Sequence, residues 1–161
     1  NNPVIFSEHA LLYNITGDVP DEEYTIPLGK ASVKREGADV TIIAYSRMVH
    51  VALEAAGALS TKGVSVEVVD LRTLRPLDVD TIIESVKKTG RAVVVEETWK
   101  TGGFAGEVVS TIQERSFDYL DGPVLRVGGI DVPTPYSEDL EAAVMPTPER
   151  IIDAIDNGFG L

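Results

Sequence analysis

The sequence predicts an α/β fold of three layers, αβα, in which helices cover both faces of an open, mostly parallel sheet. Three observations carry that reading. Short runs such as Val40-Thr41-Ile42-Ile43-Ala44-Tyr45 are apolar on both sides, as strands buried between two helical layers must be. Each run is followed by a segment whose apolar residues recur every three or four positions. Strands that alternate with helices through right-handed crossovers build a parallel sheet.

Taken in order, Val4-Ile5-Phe6 reads as an opening strand. Residues 14–27 contain Gly17, Pro20, Pro27 and the acidic run Asp21-Glu22-Glu23 with neither hydrophobic period, so they read as a linker. Ala31 to Arg35 is expected as a short edge strand, and 36–39 as the turn into the central strand that ends at Tyr45. Ser46 is placed to cap a helix whose stripe is Val49, Ala52, Leu53, Ala56 and Leu59 and whose stop is Gly63. Val64 to Val69 is the next strand. The stretch Asp70 to Asp78 that leaves it has no glycine; taken alone it reads as a well-packed βα connection, and the alternative is an ordered loop that shapes a surface for docking. Pro76 is read as the start of the following helix, with Val79, Ile82, Ile83 and Val86 on its buried face. Arg91 to Glu96 is a third parallel strand, Gly102 to Gly106 the turn into a helix carrying Val108, Val109 and Ile112, and Val124 to Val127 a fourth strand. A short segment from Tyr136 to Val144 precedes a last helix announced by Thr147-Pro148-Glu149, with Ile151, Ile152 and Ile155 inward.

Bulk properties narrow the function. The 161 residues, 43% of them hydrophobic, suit one domain able to bury roughly 70% of its unfolded surface. No apolar run approaches a membrane span. The absence of cysteine excludes disulfides, thiolate catalysis and cysteine-held metals, and fits a cytoplasmic setting. A formal charge of −12, from 14 basic against 26 acidic residues, argues against nucleic acid or an anionic membrane as partner and would steer in a basic protein. The start lacks the basic and apolar regions of a signal peptide and reads as a strand entered partway, so an upstream part is expected.

Reactive constellations are few. Thr101-Gly102-Gly103-Phe104-Ala105-Gly106 stands where a dinucleotide fingerprint belongs, but Thr101 takes the first glycine position and the ribose-binding acid about twenty residues on is missing. The two histidines, His9 and His50, lie far apart and neither has a metal-like partner. Asp70 ends a strand as a receiver phosphoacceptor would, yet Ala44-Tyr45-Ser46-Arg47 lacks the acid pair that holds magnesium. Asp78 and Asp80 suit helix capping. A receiver-like signalling domain and a nucleotide-binding module remain as alternatives.

Several blocks resemble, in order and spacing, the beta subunit of the pyruvate dehydrogenase decarboxylating component, a thiamine-dependent 2-oxo acid dehydrogenase. They are 8–13, Glu-His-Ala-Leu-Leu-Tyr; 24–31, Tyr-Thr-Ile-Pro-Leu-Gly-Lys-Ala; 39–42, Asp-Val-Thr-Ile, leading to Tyr45-Ser46; 70–76, Asp-Leu-Arg-Thr-Leu-Arg-Pro; 95–97, Val-Glu-Glu; 120–124, Leu-Asp-Gly-Pro-Val; and 131–136, Asp-Val-Pro-Thr-Pro-Tyr. The resemblance implies the end of a pyrimidine-binding domain at 1–13, a linker at 14–30 and a transketolase C-terminal domain at 31–161. It also implies that thiamine diphosphate and magnesium belong to the full enzyme, held by an upstream domain and the alpha subunit, with no catalytic, cofactor or metal residue in this chain. What this domain would do is associate about a two-fold axis, as a homodimer contact, and dock the subunit-binding domain of the dihydrolipoyl acyltransferase. Asp121 matches the acidic residue of that docking surface; as a plain turn former before Gly122-Pro123 it would need no partner. The expected substrate is pyruvate, with branched-chain 2-oxo acids and acetoin as alternatives.

Overall fold

Five strands form the sheet of the computed structural model, which describes residues 3–161. They are β1 (Ser32–Arg35), β2 (Val40–Ala44), β3 (Val66–Asp70), β4 (Ala92–Trp99) and β5 (Leu125–Gly129), in the spatial order β1-β3-β2-β4-β5. The last four are parallel, and β1 closes one edge antiparallel to β3 with Ser32 opposite Asp70. β2 and β3 are the strands most completely enclosed, in keeping with their many β-branched residues.

Alternate side chains divide the core in two. Val40, Ile42, Val93 and Val95 pack with Ala52, Ala56, Ile151 and Ile155 of α1 (Met48–Thr61) and α5 (Pro148–Phe159). Ile43, Val69 and Val94 point the other way, onto Ile82, Val86, Val108 and Ile112 of α2 (Val79–Thr89) and α3 (Ala105–Ser116). Each fully buried Val or Ile contributes roughly 1.5–3 kcal/mol relative to exposure. This is the three-layer α/β arrangement that the pattern predicts. A short α4 (Glu138–Val144) buries none of its side chains.

Four local expectations need correcting. Val4, Ile5 and Phe6 are exposed and form no strand, since no neighbouring strand among the described residues satisfies their backbone groups; the regular structure before β1 is one 3-10 turn, Ala10–Asn14. Ser46 does not cap α1 through its side chain. It has a φ of +56° and offers its carbonyl to the Val49 amide at 3.2 Å instead. Pro76 does not open α2, which starts three residues later behind Asp78, whose carboxylate accepts from the Thr81 amide at 3.4 Å and the Thr81 hydroxyl at 2.8 Å. Strands β3 and β5 each sit one or two residues later than the apolar runs suggest.

The 70–78 loop does receive something, and it is the chain's own linker. The Gly29 amide donates to Thr73 Oγ1 at 3.0 Å, and the Ala31 amide to Asp78 Oδ2 at 2.9 Å. Gly29, at a φ of +72°, lies so close to Pro76 that a Cβ would stand 2.8 Å from the ring. The end of the linker is thus fastened to the domain through Gly29 and Ala31.

Candidate functional site

Asp121 occupies the turn between a 3-10 segment, Phe117–Tyr119, and β5. Its amide donates to the carbonyl of Gly90, the αL residue that ends α2, at 2.8 Å. The carboxylate lies against the same residue: a Cβ on Gly90 would be 2.8 Å from Asp121 Oδ2. That close approach and the φ of +68° both require glycine. Arg91 brings Nη2 to 3.3 Å from Asp121 Oδ2, yet the Asp121 side chain stays 59% exposed. Beside it lies a shallow depression of about 580 Å³ lined by Gln113, Phe117, Asp118, Leu120, Gly122 and Pro123. Phe117 is exposed, and Tyr119 carries Lys87 Nζ 4.4 Å from its ring centre. Phe159 of α5 comes within 3.6 Å of where a Gly122 Cβ would stand, so the C-terminal helix ends on this same edge. An exposed carboxylate bordered by apolar surface is suited to a cationic side chain with an apolar flank.

The opposite edge holds the crevice where doubly wound sheets usually bind ligands, between β2 and β4, which the chain reaches by crossing from β3 over β2. Here the crevice is filled by Glu96. Its buried carboxylate accepts from the Ala105 amide at the start of α3 at 2.9 Å, from Arg126 Nη2 at 3.0 Å and from the Tyr45 hydroxyl at 3.4 Å. A Cβ on Gly103 would lie 2.2 Å from Glu96 Oε1, so the glycine turn passes directly over this carboxylate. That close passage accounts for Gly103, and a left-handed φ of +73° accounts for Gly102. Burial first, then the neighbouring carboxylates of Glu96 and Glu97, pushes the Tyr45 hydroxyl up to about 12.

Next to it Glu97 accepts from His9 at 2.9 Å and lies 3.4 Å from Arg47 Nη1, while His9 Nδ1 accepts the Leu11 amide at 3.2 Å. His9 thereby ties the segment ahead of the linker to the sheet. His50 is solvent-exposed. Asp70 accepts the Arg72 amide at 3.0 Å and faces Lys34 at 3.7 Å, an ordinary turn and edge contact. Among the described residues no three His, Asp or Glu side chains converge as a metal site would require.

The Glu96 and Glu97 clusters went unassigned in the sequence. Their signal was two acids closing an apolar strand just before Gly102-Gly103, with Arg126 as an isolated cation in the following strand. Nothing in the spacing could bring His9 to Glu97 across 88 positions.

The model of the transketolase C-terminal domain matches residues 29–151, beginning at the glycine that the 70–78 loop grips. The chain is 51% identical over 157 residues to the pyruvate dehydrogenase E1 component subunit beta of Porphyra purpurea, covering 98% of this chain and 47% of that protein. It is also 51% identical over 154 residues to the Bacillus subtilis subunit of the same name, covering 95% and 47%. It thus spans about half the length of the curated relatives it matches. Among solved structures, a split-gene transketolase described as an inactive beta4 tetramer superposes with a TM-score of 0.74 at 32% identity, over 90% of this chain and 46% of that one. The chain belongs to the transketolase C-terminal domain family, and the proteins it resembles over nearly its whole length are pyruvate dehydrogenase beta subunits.

Proposed function

We propose that this chain is the assembly domain of a 2-oxo acid dehydrogenase beta subunit, pyruvate being the substrate of the whole enzyme and the cytoplasm its setting. The observation that carries the reading is 51% identity to pyruvate dehydrogenase beta subunits along almost the full chain. In this reading residues 1–13 close a pyrimidine-binding domain, and the domain proper associates with the alpha subunit and with a second beta copy. Its Asp121 edge docks the small basic subunit-binding domain of the dihydrolipoyl acyltransferase.

Thiamine diphosphate and magnesium are the cofactors of that whole enzyme. The described residues do not fit them: Glu96 takes the helix N-terminus where a diphosphate would rest, and no carboxylate cluster converges for the metal. This chain's part is mechanical and electrostatic. Its exposed carboxylate and its overall negative charge attract a basic partner, and the adjoining apolar rim excludes water from the pair.

Replacing Asp121 by Lys turns attraction into repulsion. Reversing one member of a desolvated interfacial pair costs on the order of 2–5 kcal/mol. Titrating the chain with the basic subunit-binding domain should show affinity falling at least thirtyfold, about 2 kcal/mol, for Asp121→Lys. The melting curve should move little, because the side chain is largely exposed. Equal binding by Asp121→Lys and the parent defeats the docking assignment.

A further inference from the structure

We infer that Arg91 is an internal competitor for the Asp121 carboxylate, holding the docking acid in check so that a basic partner must displace or share with it. The inference rests on the docking reading above. In the free chain Arg91 Nη2 lies 3.3 Å from Asp121 Oδ2, with the arginine side chain 29% and the aspartate 59% exposed. The cation a partner would supply is therefore already present in the molecule.

Arg91 is not free to follow any movement of the acid. Its Nη1 donates to the Asp39 carbonyl at 3.3 Å, which keeps the guanidinium against the sheet edge. Asp121 is equally fixed, its amide on the Gly90 carbonyl and its carboxylate against the Gly90 Cα. The pair is thus short, local and open to water on the side of the depression lined by Phe117 and Leu120. A partner's lysine or arginine arriving on that side meets an acid whose field is partly neutralised. Lys87, held over Tyr119 on the same edge, adds a second positive charge that an approaching cation must pass.

A half-exposed ion pair of this kind is weak enough to be exchanged. Its strength corresponds to a factor of about two to five in an equilibrium constant. Arg91→Met keeps the aliphatic stem and removes the charge. We expect it to tighten binding of the lysine- and arginine-rich subunit-binding domain about two- to fivefold at low salt, with the gain vanishing in high salt as screening removes the competing charge. The gain must also disappear when Arg91→Met is made in an Asp121→Asn background, since it then has no carboxylate to release.

Calorimetric titration of five chains (parent, Arg91→Met, Asp121→Asn, their double and Asp121→Lys) at two salt concentrations, with a melting curve for each, decides the matter. Tighter binding by Arg91→Met that depends on Asp121 supports the competitor role. Unchanged or weaker binding by Arg91→Met overturns it while leaving docking at Asp121 intact, provided Asp121→Lys still binds at least about thirtyfold more weakly than the parent. A gain that persists in the Asp121→Asn background also overturns it, because the charge then acts through the general field. If Asp121→Lys binds like the parent, the docking reading and the competitor role fall together.

Discussion

Asp78 shows how much one side chain can hold. Burial alone would raise its carboxyl, but the amides of Ala31 and Thr81, the Thr81 hydroxyl and Lys30 at 3.8 Å outweigh it and hold the group below the usual carboxylate range. A folded-state value lower than the unfolded one contributes stability that is complete above the unfolded value of about 4 and is lost as pH falls through the folded value. Asp78→Ala should therefore cost roughly 0.5–2 kcal/mol at neutral pH, the range of a lost N-cap. Denaturant melts of the variant and parent should converge as the pH is lowered below about 4. A gap that stays constant in acid would show that the carboxylate's charge is not what binds the linker to α2. Legibility at this scale was uneven. Capping by Asp78 followed from its place before a helical stripe, whereas Asp121 acquired a role only by resemblance. Its pairing with Arg91 depends on a backbone contact between two loops that no local pattern encodes.

Among the elements, β2, β3 and β4 were readable because β-branched residues on both faces leave no other way to bury them. What the pattern could not give was the exact start of α1, decided by backbone geometry at Ser46, and the choice of Asp78 over Pro76 as the residue behind which α2 begins. The connection from β4 into α3 is closely packed. Gly102 has a φ of +73° but open space around its missing side chain, whereas a Cβ on Gly103 would meet Glu96 Oε1 at 2.2 Å and the Trp99 carbonyl at 2.4 Å. Gly102→Ala should cost about 1–2 kcal/mol, the left-handed penalty alone. Gly103→Ala should cost about 3 kcal/mol or more, because it overpacks the turn and unseats a buried carboxylate. Chemical denaturation of the two variants compares them directly, and a Gly103→Ala chain as stable as Gly102→Ala would mean that Glu96 has room to move aside.

For the molecule as a whole, the fold class was legible from strand and helix alternation, and the three-layer core follows it. The segment before Gly29 is different: Ile5, Phe6, Tyr13, Val19 and Leu28 all expose more than half of their surface, and His9 with Glu97 is its tie to the sheet. Apolar surface on this scale favours self-association. Sedimentation over a wide concentration range should show a weak, reversible dimer; a mass that stays monomeric at the highest concentration would refute the two-fold contact. Glu96 has a consequence for the entire domain. A protein stabilised by a dissociable anion gains free energy in proportion to the logarithm of that ligand's concentration, so its melting point drifts with the surrounding pool. Here the anion is covalently part of the chain and always present at one equivalent, so the stability it confers does not vary with dilution, dialysis or metabolic state.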